Sequence, residues 1–332
     1  MKNTLMKYKY IILILLLLIL PFPLSRINDY FLHIVIVVAV YSILALSLNV
    51  IVGYAGQFAL GHAAFYGIGA YTAAILMTRS GFSFWSAIAC AAVMTGLCGF
   101  LLGLPVIRLK GDYLGIVTLA FGEIVRLFFV NWVPLTNGPM GIPGIPHPTI
   151  FGFEFTTRIN FYYIILALLS ITAFIIYRIV YSGFGLNLLT IRKDESLAES
   201  IGIRPVKYKL MAFSIGAFFA GIAGAFWAAY ISYISPDAFK YMDSINILSM
   251  VVLGGTASIP GSFLGAFIMV LTPEILRYVN DYRMMVLGIV IVCMMIFKPS
   301  GFIGEKYRQF NFFGMKGVHL VGKNNETGKG RS

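Results

Sequence analysis

The sequence predicts an all-α protein, a polytopic bundle of transmembrane helices, and two features lead to that fold class. Of the 332 residues, 59% are hydrophobic and 11% are charged, whereas soluble domains carry about 25% charged residues. The hydrophobic residues also cluster into runs of roughly 15 to 24, the length that an α-helix needs to cross a bilayer. These runs predict about ten spans, within a range of eight to eleven.

The predicted spans follow one another along almost the whole chain. They lie near residues 10–24, 31–52, 63–79, 84–104, 113–131, 160–181, 209–232, 245–257, 262–280 and 283–298. The first run follows three lysines and resembles a signal peptide, but a Pro-Phe-Pro sequence stands where a cleavage site would need small residues. We therefore expect an uncleaved first span.

The distribution of lysine and arginine predicts the orientation. Cytoplasmic loops carry an excess of these residues. With both termini cytoplasmic, 18 of the 25 basic residues lie inside, 6 lie outside, and Arg126 lies within a span. The net charge of +12 therefore fits a membrane protein, and the spread of basic residues over short loops argues against nucleic-acid binding.

Two connections are long. The predicted outer loop, residues 131–160, has four Xaa-Pro steps between positions 139 and 148, which restrict it to extended and turn conformations. We expect it to form an ordered external cap. The predicted inner loop, residues 182–209, is the most hydrophilic internal segment.

A short amphipathic helix is predicted over Asp194–Gly202 in the inner loop. Acidic residues open its first turn, and Gly202 stands where a C-capping glycine would lie. Leu197 and Ile201 are four residues apart and form one apolar stripe, which suits a groove on another protein. The alternative is a helix lying flat on lipid headgroups, which the adjacent acids disfavour. The residues assigned to this helix are Asp194, Glu195, Leu197, Glu199, Ile201 and Gly202.

Two stretches interrupt hydrophobic runs with glycine, proline and polar residues. They are GYAGQFALGHAAFYGIGAY, residues 53–71, and LGGTASIPGSFLGAF, residues 253–267. Broken segments in the two halves of a membrane protein indicate a central binding or pore region. Close helix packing would also explain the glycines, but it does not account for Gln57, His62 or Pro260. The glycines assigned to these broken segments are Gly53, Gly56, Gly61, Gly254, Gly255 and Gly261.

Few ionisable residues lie within the predicted spans. Glu123 and Arg126 are three residues apart, so they share a helix face and can pair. A paired charge inside a membrane faces the bundle interior or a water-filled cavity. The pair is therefore either an internal ion pair that fixes one helix or part of a path through the membrane. The candidate path residues are Gln57, His62, Tyr66, Glu123 and Arg126.

The sequence holds no catalytic constellation, so we expect no enzyme activity and no cofactor or metal. GVHLVGKN, residues 317–324, has the spacing of a phosphate-binding loop, but Asn324 lacks the hydroxyl that such a loop offers to magnesium. The three cysteines lie within hydrophobic runs and have no metal-site spacing.

Several motifs together carry a family resemblance. Besides residues 53–71 they are RLKGDYLGIVTLAFGEIVRL (108–127), NGPMGIPGIP (137–146), IRKDESLAESIGIRPVKYKLMAFSIGAFFAGIAGA (191–225), VVLGGTASIPGSFLGAF (251–267) and FKPSGFIG (297–304). In this order, from about residue 31 to 304, the chain resembles the branched-chain amino acid permease family of ABC importers.

The resemblance implies a multi-pass permease subunit in a bacterial-type inner (plasma) membrane, with residues 1–304 as the transmembrane domain. Residues 305–332 lie beyond the resemblance, and their polar, glycine-rich composition predicts a disordered cytoplasmic tail. It implies four kinds of partner: a second related permease, two cytoplasmic ABC ATPase subunits, an extracytoplasmic substrate-binding protein and an amino-acid substrate. The helix at Asp194–Gly202 would couple to the ATPase, and residues 131–160 would help to dock the binding protein.

Leucine, isoleucine or valine is the expected substrate, and ATP hydrolysis is expected in the partner subunits. Related permeases carry urea or short amides, which is one alternative. A second alternative is an ion-coupled secondary transporter that acts alone, with Glu123 as a proton or sodium site.

Overall fold

The structure is a computed structural model that describes residues 21, 29–109, 111–150, 153–275, 288 and 301–303. Eleven α-helices make up most of this part of the chain, so the all-α prediction is confirmed. Apart from single residues, the predicted spans near 10–24 and 283–298 lie outside the described residues, as does the predicted tail, 305–332.

The helices follow one another with short connections. In chain order they are α1 (Asp29–Asn49), α2 (His62–Arg79), α3 (Phe84–Val106), α4 (Asp112–Asn131), α5 (Val133–Thr136), α6 (Arg158–Val180), α7 (Gly183–Lys193), α8 (Glu195–Ser200), α9 (Pro205–Ile231), α10 (Tyr241–Gly254) and α11 (Ile259–Ile275). A π-helical turn, Val50–Tyr54, extends α1. By length and composition, α1 with this turn, α3, α4, α6 and α9 could each cross a membrane, while α10 and α11 are shorter apolar helices.

Four strands of two residues each form two antiparallel pairs. They are β1 (Ile142–Pro143), β2 (Thr149–Ile150), β3 (Phe153–Glu154) and β4 (Tyr233–Ile234). β1 pairs with β4, which follows α9, and β2 pairs with β3. Gly141 lies so close to β4 that an added Cβ would stand 2.0 Å from the Ile234 oxygen. The proline-rich connection between α4 and α6 is thus tied to the end of α9.

The bundle has two distinct ends. α6 leads to α7 and α8 at one end, and α9 returns from there to β4 at the other. We call these the α8 end and the strand end. At the strand end, the His33 Nδ1 atom of α1 lies 2.7 Å from the Tyr230 hydroxyl of α9, and Arg79 Nη1 of α2 donates to the Pro134 oxygen at 2.6 Å.

Small residues let α9 pack directly on α2 and α3 at the centre of the bundle. An added Cβ at Gly224 of α9 would lie 2.1 Å from the Tyr66 oxygen of α2, and one at Gly69 would lie 2.5 Å from the Gly221 Cα atom. Backbones approach this closely in membrane proteins where small residues line both helices. These contacts fix the helices that surround the interrupted segments described next.

Candidate functional site

The first interruption lies between α1 and α2. The π-helical turn replaces the regular α-helical bonds, since the Ala55 N–H donates to the Val50 oxygen at 3.1 Å and the Gln57 N–H to the Ile51 oxygen at 3.0 Å. Gly56 then adopts a left-handed conformation with φ +67°, which favours glycine. Residues 56–61 are not helical, and α2 begins at His62.

The second interruption lies between α10 and α11. Gly255, with φ 116°, ends α10, and Ala257, with φ 58°, precedes the start of α11. The Phe302 N–H donates to the Leu253 oxygen at 2.9 Å, and the Ile303 N–H donates to the Gly254 oxygen at 3.0 Å. Residues 301–303 therefore satisfy carbonyl groups that the end of α10 leaves without helical partners.

The two interruptions meet at the side chain of Asn49, the last residue of α1. The Ala257 N–H donates to Asn49 Oδ1 at 2.9 Å. Asn49 Nδ2 donates to the Ser258 oxygen at 3.1 Å and to Ser262 Oγ at 2.8 Å. Asn49 is 1% exposed, so one buried amide uses both its donor and its acceptor atoms to join the two segments.

The glycine at position 53 is required by this junction. A Cβ atom added there would lie 1.8 Å from Asn49 Oδ1 and 2.5 Å from the Ala257 nitrogen. The glycine pattern of the sequence marks Gly53 as a candidate but does not mark Asn49. The signal for Asn49 was present, because an amide at the end of a hydrophobic run needs a buried partner.

Gln57 and His62, which the sequence marked for their polarity, are both buried in the structure. The His62 Nε2 atom lies 2.7 Å from Ser47 Oγ. Since Ser47 Oγ donates its proton to the Leu44 oxygen at 2.8 Å, we assign Nε2 of His62 as the donor. Among the described residues, Gln57 Oε1 and His62 Nδ1 are buried acceptors without a hydrogen-bond partner.

Tyr66 is buried against the aromatic ring of Phe239, with ring centroids 5.1 Å apart. One turn earlier, the Ala63 N–H at the start of α2 donates to Ser244 Oγ of α10 at 2.9 Å. The first interruption is also fixed against α4, because the Leu60 N–H donates to Thr118 Oγ1 at 2.9 Å. His62 therefore lies between α1 and α2, and Tyr66 packs against the segment between β4 and α10.

Glu123 and Arg126 form the ion pair that their spacing allows, with Arg126 Nε donating to Glu123 Oε2 at 2.9 Å. They line an open cleft of about 590 Å³ together with residues that follow β4. There Lys240 Nζ lies 3.0 Å from Asp237 Oδ1 and forms a second ion pair. The remaining lining residues are Leu119 and Tyr241.

The cleft lies on the least covered of the long helices. In an apolar 18-residue stretch of α4, only 22% is buried inside the described structure. The corresponding share is 72% for α1 with its π-helical turn and 61% for α9. Charged side chains do not face hydrocarbon without a large cost. The face of α4 that carries Glu123 and Arg126 therefore requires water or another polypeptide beside it.

The N-terminal end of the short helix α8 is held by two side-chain contacts. Asp194 Oδ1 caps it by accepting from the Ser196 and Leu197 N–H groups at 2.9 and 3.0 Å. Lys209 of α9, which is 3% exposed, donates to Glu195 Oε1 at 2.8 Å. Gly202 follows the helix with φ +83°. The helix spans Glu195–Ser200 and is thus shorter than the predicted Asp194–Gly202.

Apolar side chains are exposed on α8 and on the residues that follow it. Leu197 is 57% exposed and Ile201 is 64% exposed, and Val206 of α9 is also exposed. They lie beside a second cleft of about 590 Å³, lined by Glu199, Gly202, Ile203, Arg204, Pro205 and Val206. This surface at the α8 end is formed by three elements of the predicted inner loop.

The predicted inner loop also contains a helix that the sequence pattern does not predict, α7. Two glycines, Gly183 and Gly185, open this helix and obscured its pattern, although Ser182 caps it by accepting from the Phe184 N–H at 3.2 Å. α7 places Arg192 against the first interruption, where Arg192 Nη1 donates to the Gly53 oxygen at 2.5 Å.

Irregular backbone inside a bundle of apolar helices is tolerated where it is buried in protein or lines a polar cavity. Membrane transport proteins use such interrupted helices near their substrate paths. In the part of the chain that the structure describes, no three His, Cys, Asp or Glu side chains are grouped to hold a metal ion. The fold and site thus define the class as polytopic α-helical membrane transport proteins.

Comparison with known proteins gives the family within that class. The family described as "Branched-chain amino acid transport system / permease component" matches residues 30–295, and the chain belongs to it. The resemblance found in the sequence motifs is therefore confirmed. No solved structure gives a significant match to this chain.

Relatives of two kinds are similar to the chain. The high-affinity branched-chain amino acid transport system permease protein LivM of Escherichia coli K12 is 39% identical over 287 residues, covering 80% of this chain and 68% of the relative. The probable LivM permease protein of Methanocaldococcus jannaschii is 26% identical, covering 65% and 68%. The permease protein LivH of Escherichia coli K12 is 24% identical, covering 80% and 91%.

Proposed function

We propose that this chain is the membrane-spanning permease subunit of an ABC importer for leucine, isoleucine and valine. Its family and its relatives named LivM and LivH, both from branched-chain amino acid transport systems, support this proposal. The chain lies in the inner (plasma) membrane of a bacterial-type cell. It has about ten spans, the α8 end is cytoplasmic, and so are both termini.

A second permease related to this chain is the proposed partner within the membrane. Relatives named LivM and LivH both match the chain, and both occur in Escherichia coli K12. The exposed face of α4 supports such a partner, because its ion pair needs a polar or protein surface rather than lipid. The substrate path then runs between the two permeases.

The observation that carries the transport role is the cleft beside α4. A free amino acid at neutral pH is a zwitterion, so it needs a cation for its carboxylate, an anion for its ammonium and an apolar surface for its side chain. All three kinds of group surround one volume of about 590 Å³. The cations are Arg126 and Lys240, and the anions are Glu123 and Asp237. Leu119 provides the apolar surface. The cleft is therefore the proposed entrance to the path from the strand end.

Two soluble partners are proposed for the two ends of the bundle. The strand end, with its proline-rich connection, receives the extracytoplasmic binding protein. At the α8 end, Leu197 and Ile201 dock into an ATPase subunit. Exposed apolar side chains on a capped, ion-paired helix suit insertion into a protein groove. A second copy of the ATPase binds the partner permease.

Reconstitution of the whole complex tests the proposal. Proteoliposomes that contain both permeases and both ATPases, supplied with the binding protein, are expected to accumulate radiolabelled leucine only when ATP is present on the ATPase side. Unlabelled isoleucine and valine should compete, whereas urea and acetamide should not. Ion-gradient-driven uptake by this chain alone, without ATP, would refute the importer assignment.

A second experiment tests the docking role of α8. Leu197→Asp combined with Ile201→Asp should abolish copurification of the ATPase subunits, because each aspartate would be buried unpaired in the partner groove. Met140→Asp, at an exposed apolar residue of the strand end, is the matched control and should leave copurification unchanged. Normal copurification of the double variant would remove α8 as the docking element.

A further inference from the structure

Arg192 contacts both interrupted segments with a single guanidinium group. Its Nη1 atom donates to the Gly53 oxygen at 2.5 Å, and its Nη2 atom lies 3.4 Å from Thr256 Oγ1. Gly53 belongs to the turn that ends α1, and Thr256 lies between α10 and α11. The planar fork of arginine can reach two acceptors at once, which a lysine ammonium does less well.

The first interruption is shaped to receive the stem of this arginine. A Cβ atom added at Gly56 would lie 2.7 Å from the Arg192 Cγ atom and 3.2 Å from its Cβ atom. The left-handed backbone and the missing side chain at Gly56 together leave the space that the arginine stem occupies. Two of the glycines in the first interruption thus have separate roles, since Gly53 meets Asn49 and Gly56 meets Arg192.

Arg192 is also linked directly to α8. It lies in the last turn of α7, two residues before Asp194, whose side chain caps α8. α7 is fixed to the bundle by the buried residues Leu188 and Ile191. Because the connection between α7 and α8 is a single residue, a displacement of α8 moves the end of α7 and with it the guanidinium group.

A separate contact ties α8 to a different part of the bundle. Glu195 is paired with Lys209 near the start of α9. α9 packs on α2 and α3, and its Gly216 also lies against Ile51 of the turn that ends α1. Arg192, by contrast, contacts one residue in each interrupted segment, Gly53 and Thr256, through its guanidinium group. Replacing Arg192 therefore leaves the anchoring of α8 on α9 in place while it removes the link to Gly53 and Thr256.

We propose that Arg192 is a positioning residue of the transport cycle, which transmits movement of α8 to both interrupted segments at once. This inference rests on the proposed docking of α8 to an ATPase. When the ATPase displaces α8, Arg192 moves with it and displaces the Gly53 carbonyl and the Thr256 hydroxyl that it contacts. The hydrogen bonds of Asn49 join the two segments, so they move together. Arg192 itself touches no substrate in this role.

The test measures leucine transported per ATP hydrolysed, in proteoliposomes of the whole complex with its binding protein. Arg192→Ala should copurify with the ATPase and hydrolyse ATP within about twofold of the wild type, while the ratio of transport to hydrolysis falls at least tenfold. Arg192→Lys should recover part of the ratio, since one ammonium can still reach the Gly53 oxygen. Lys193→Ala, which removes the neighbouring exposed charge, is the matched control and should leave the ratio unchanged.

Two results would overturn the proposal: an unchanged ratio for Arg192→Ala, or a parallel loss of hydrolysis and transport. If Arg192→Ala is not recovered as a folded protein, Arg192→Gln keeps most of the stem and one amide donor and is judged by the same ratio. Failure of the underlying functional proposal would look different, because the wild-type complex would then show no ATP-dependent uptake or no copurifying ATPase.

Discussion

The side chain of Asn49 and the backbone of Ala257, which are 208 residues apart in the chain, are joined by a hydrogen bond of 2.9 Å. The same amide donates to the Ser258 oxygen and to Ser262 Oγ. Interrupting a helix inside a bundle frees backbone groups that must find partners away from water. Asn49, at the end of α1, supplies an acceptor for the Ala257 N–H and a donor for the Ser258 oxygen, while residues 301–303 bond the carbonyl groups at the end of α10.

Asn49→Leu tests this junction. Leucine is similar in size but leaves the Ala257 N–H without its acceptor, whereas the Ser258 oxygen still accepts from the Ser262 N–H. Because an unsatisfied buried donor costs about 1–3 kcal/mol, we expect a loss of that size in the free energy of unfolding, seen as a lower midpoint of thermal unfolding in detergent. Asn131→Leu is the control, because Asn131 is exposed and bonds only within its own helix, to the Leu127 oxygen. Equal shifts for the two variants would contradict the role of Asn49.

The positions of the two interruptions could be predicted from the sequence, but their contact could not. Glycine and proline within hydrophobic runs mark where a helix stops, and this information is local. Whether Asn49 faces Ala257 depends on the packing of α1 against α10 and α11, which is a property of the whole bundle. The same holds for Arg192, whose sequence context of charged residues resembles any solvated loop.

Glycine spacing on α9 leads to a second prediction. A Cβ atom at Gly224 would lie 2.1 Å from the Tyr66 oxygen and 2.7 Å from the Ala70 nitrogen, both of them backbone atoms of α2. Gly224→Ala should therefore force α2 and α9 apart and destabilise the protein by about 1–3 kcal/mol, as overpacking does. Thermal unfolding of the purified protein measures the effect.

Gly96 of α3 provides the matched control for that substitution. A Cβ atom there would meet its nearest neighbours at 3.5 Å, which is ordinary contact. Gly96→Ala should be neutral or should stabilise α3 by up to about 1 kcal/mol through helix propensity. A lower stability for Gly96→Ala than for Gly224→Ala would show that the α2–α9 packing is looser than these distances indicate.

The buried cation Lys209 leads to a third prediction. Its partner Glu195 is more exposed, with 25% of its side chain accessible against 3% for Lys209. Glu195→Ala leaves a buried ammonium group without this carboxylate, whereas Lys209→Met removes the buried charge and keeps a similar volume. Because an uncompensated buried charge costs about 3–5 kcal/mol, Glu195→Ala should lower the unfolding midpoint more than Lys209→Met. The opposite order would mean that the ammonium group finds another partner.

Two of the four charged residues that line the cleft beside α4 could be paired from their spacing in the sequence. Glu123 and Arg126 lie three residues apart on one helix, so their pairing follows from helix geometry. Asp237 and Lys240 belong to a separate segment after β4, and only the tertiary fold brings them beside α4. The sequence could not decide between a structural ion pair and a path residue, because both need the same two charges on the same face.

Exchanging the two charges on α4 separates those alternatives. Arg126→Glu alone places two acids on one helix face, and we expect it to lower leucine uptake by the reconstituted complex at least tenfold. The double variant Glu123→Arg with Arg126→Glu restores an ion pair with reversed direction, so its unfolding midpoint should return close to that of the wild type. If the pair only fixes α4, uptake should return as well. We expect uptake to stay low despite the recovered stability, because the ammonium and carboxylate groups of the amino acid would then meet charges of the wrong sign in a cleft that still contains Asp237 and Lys240.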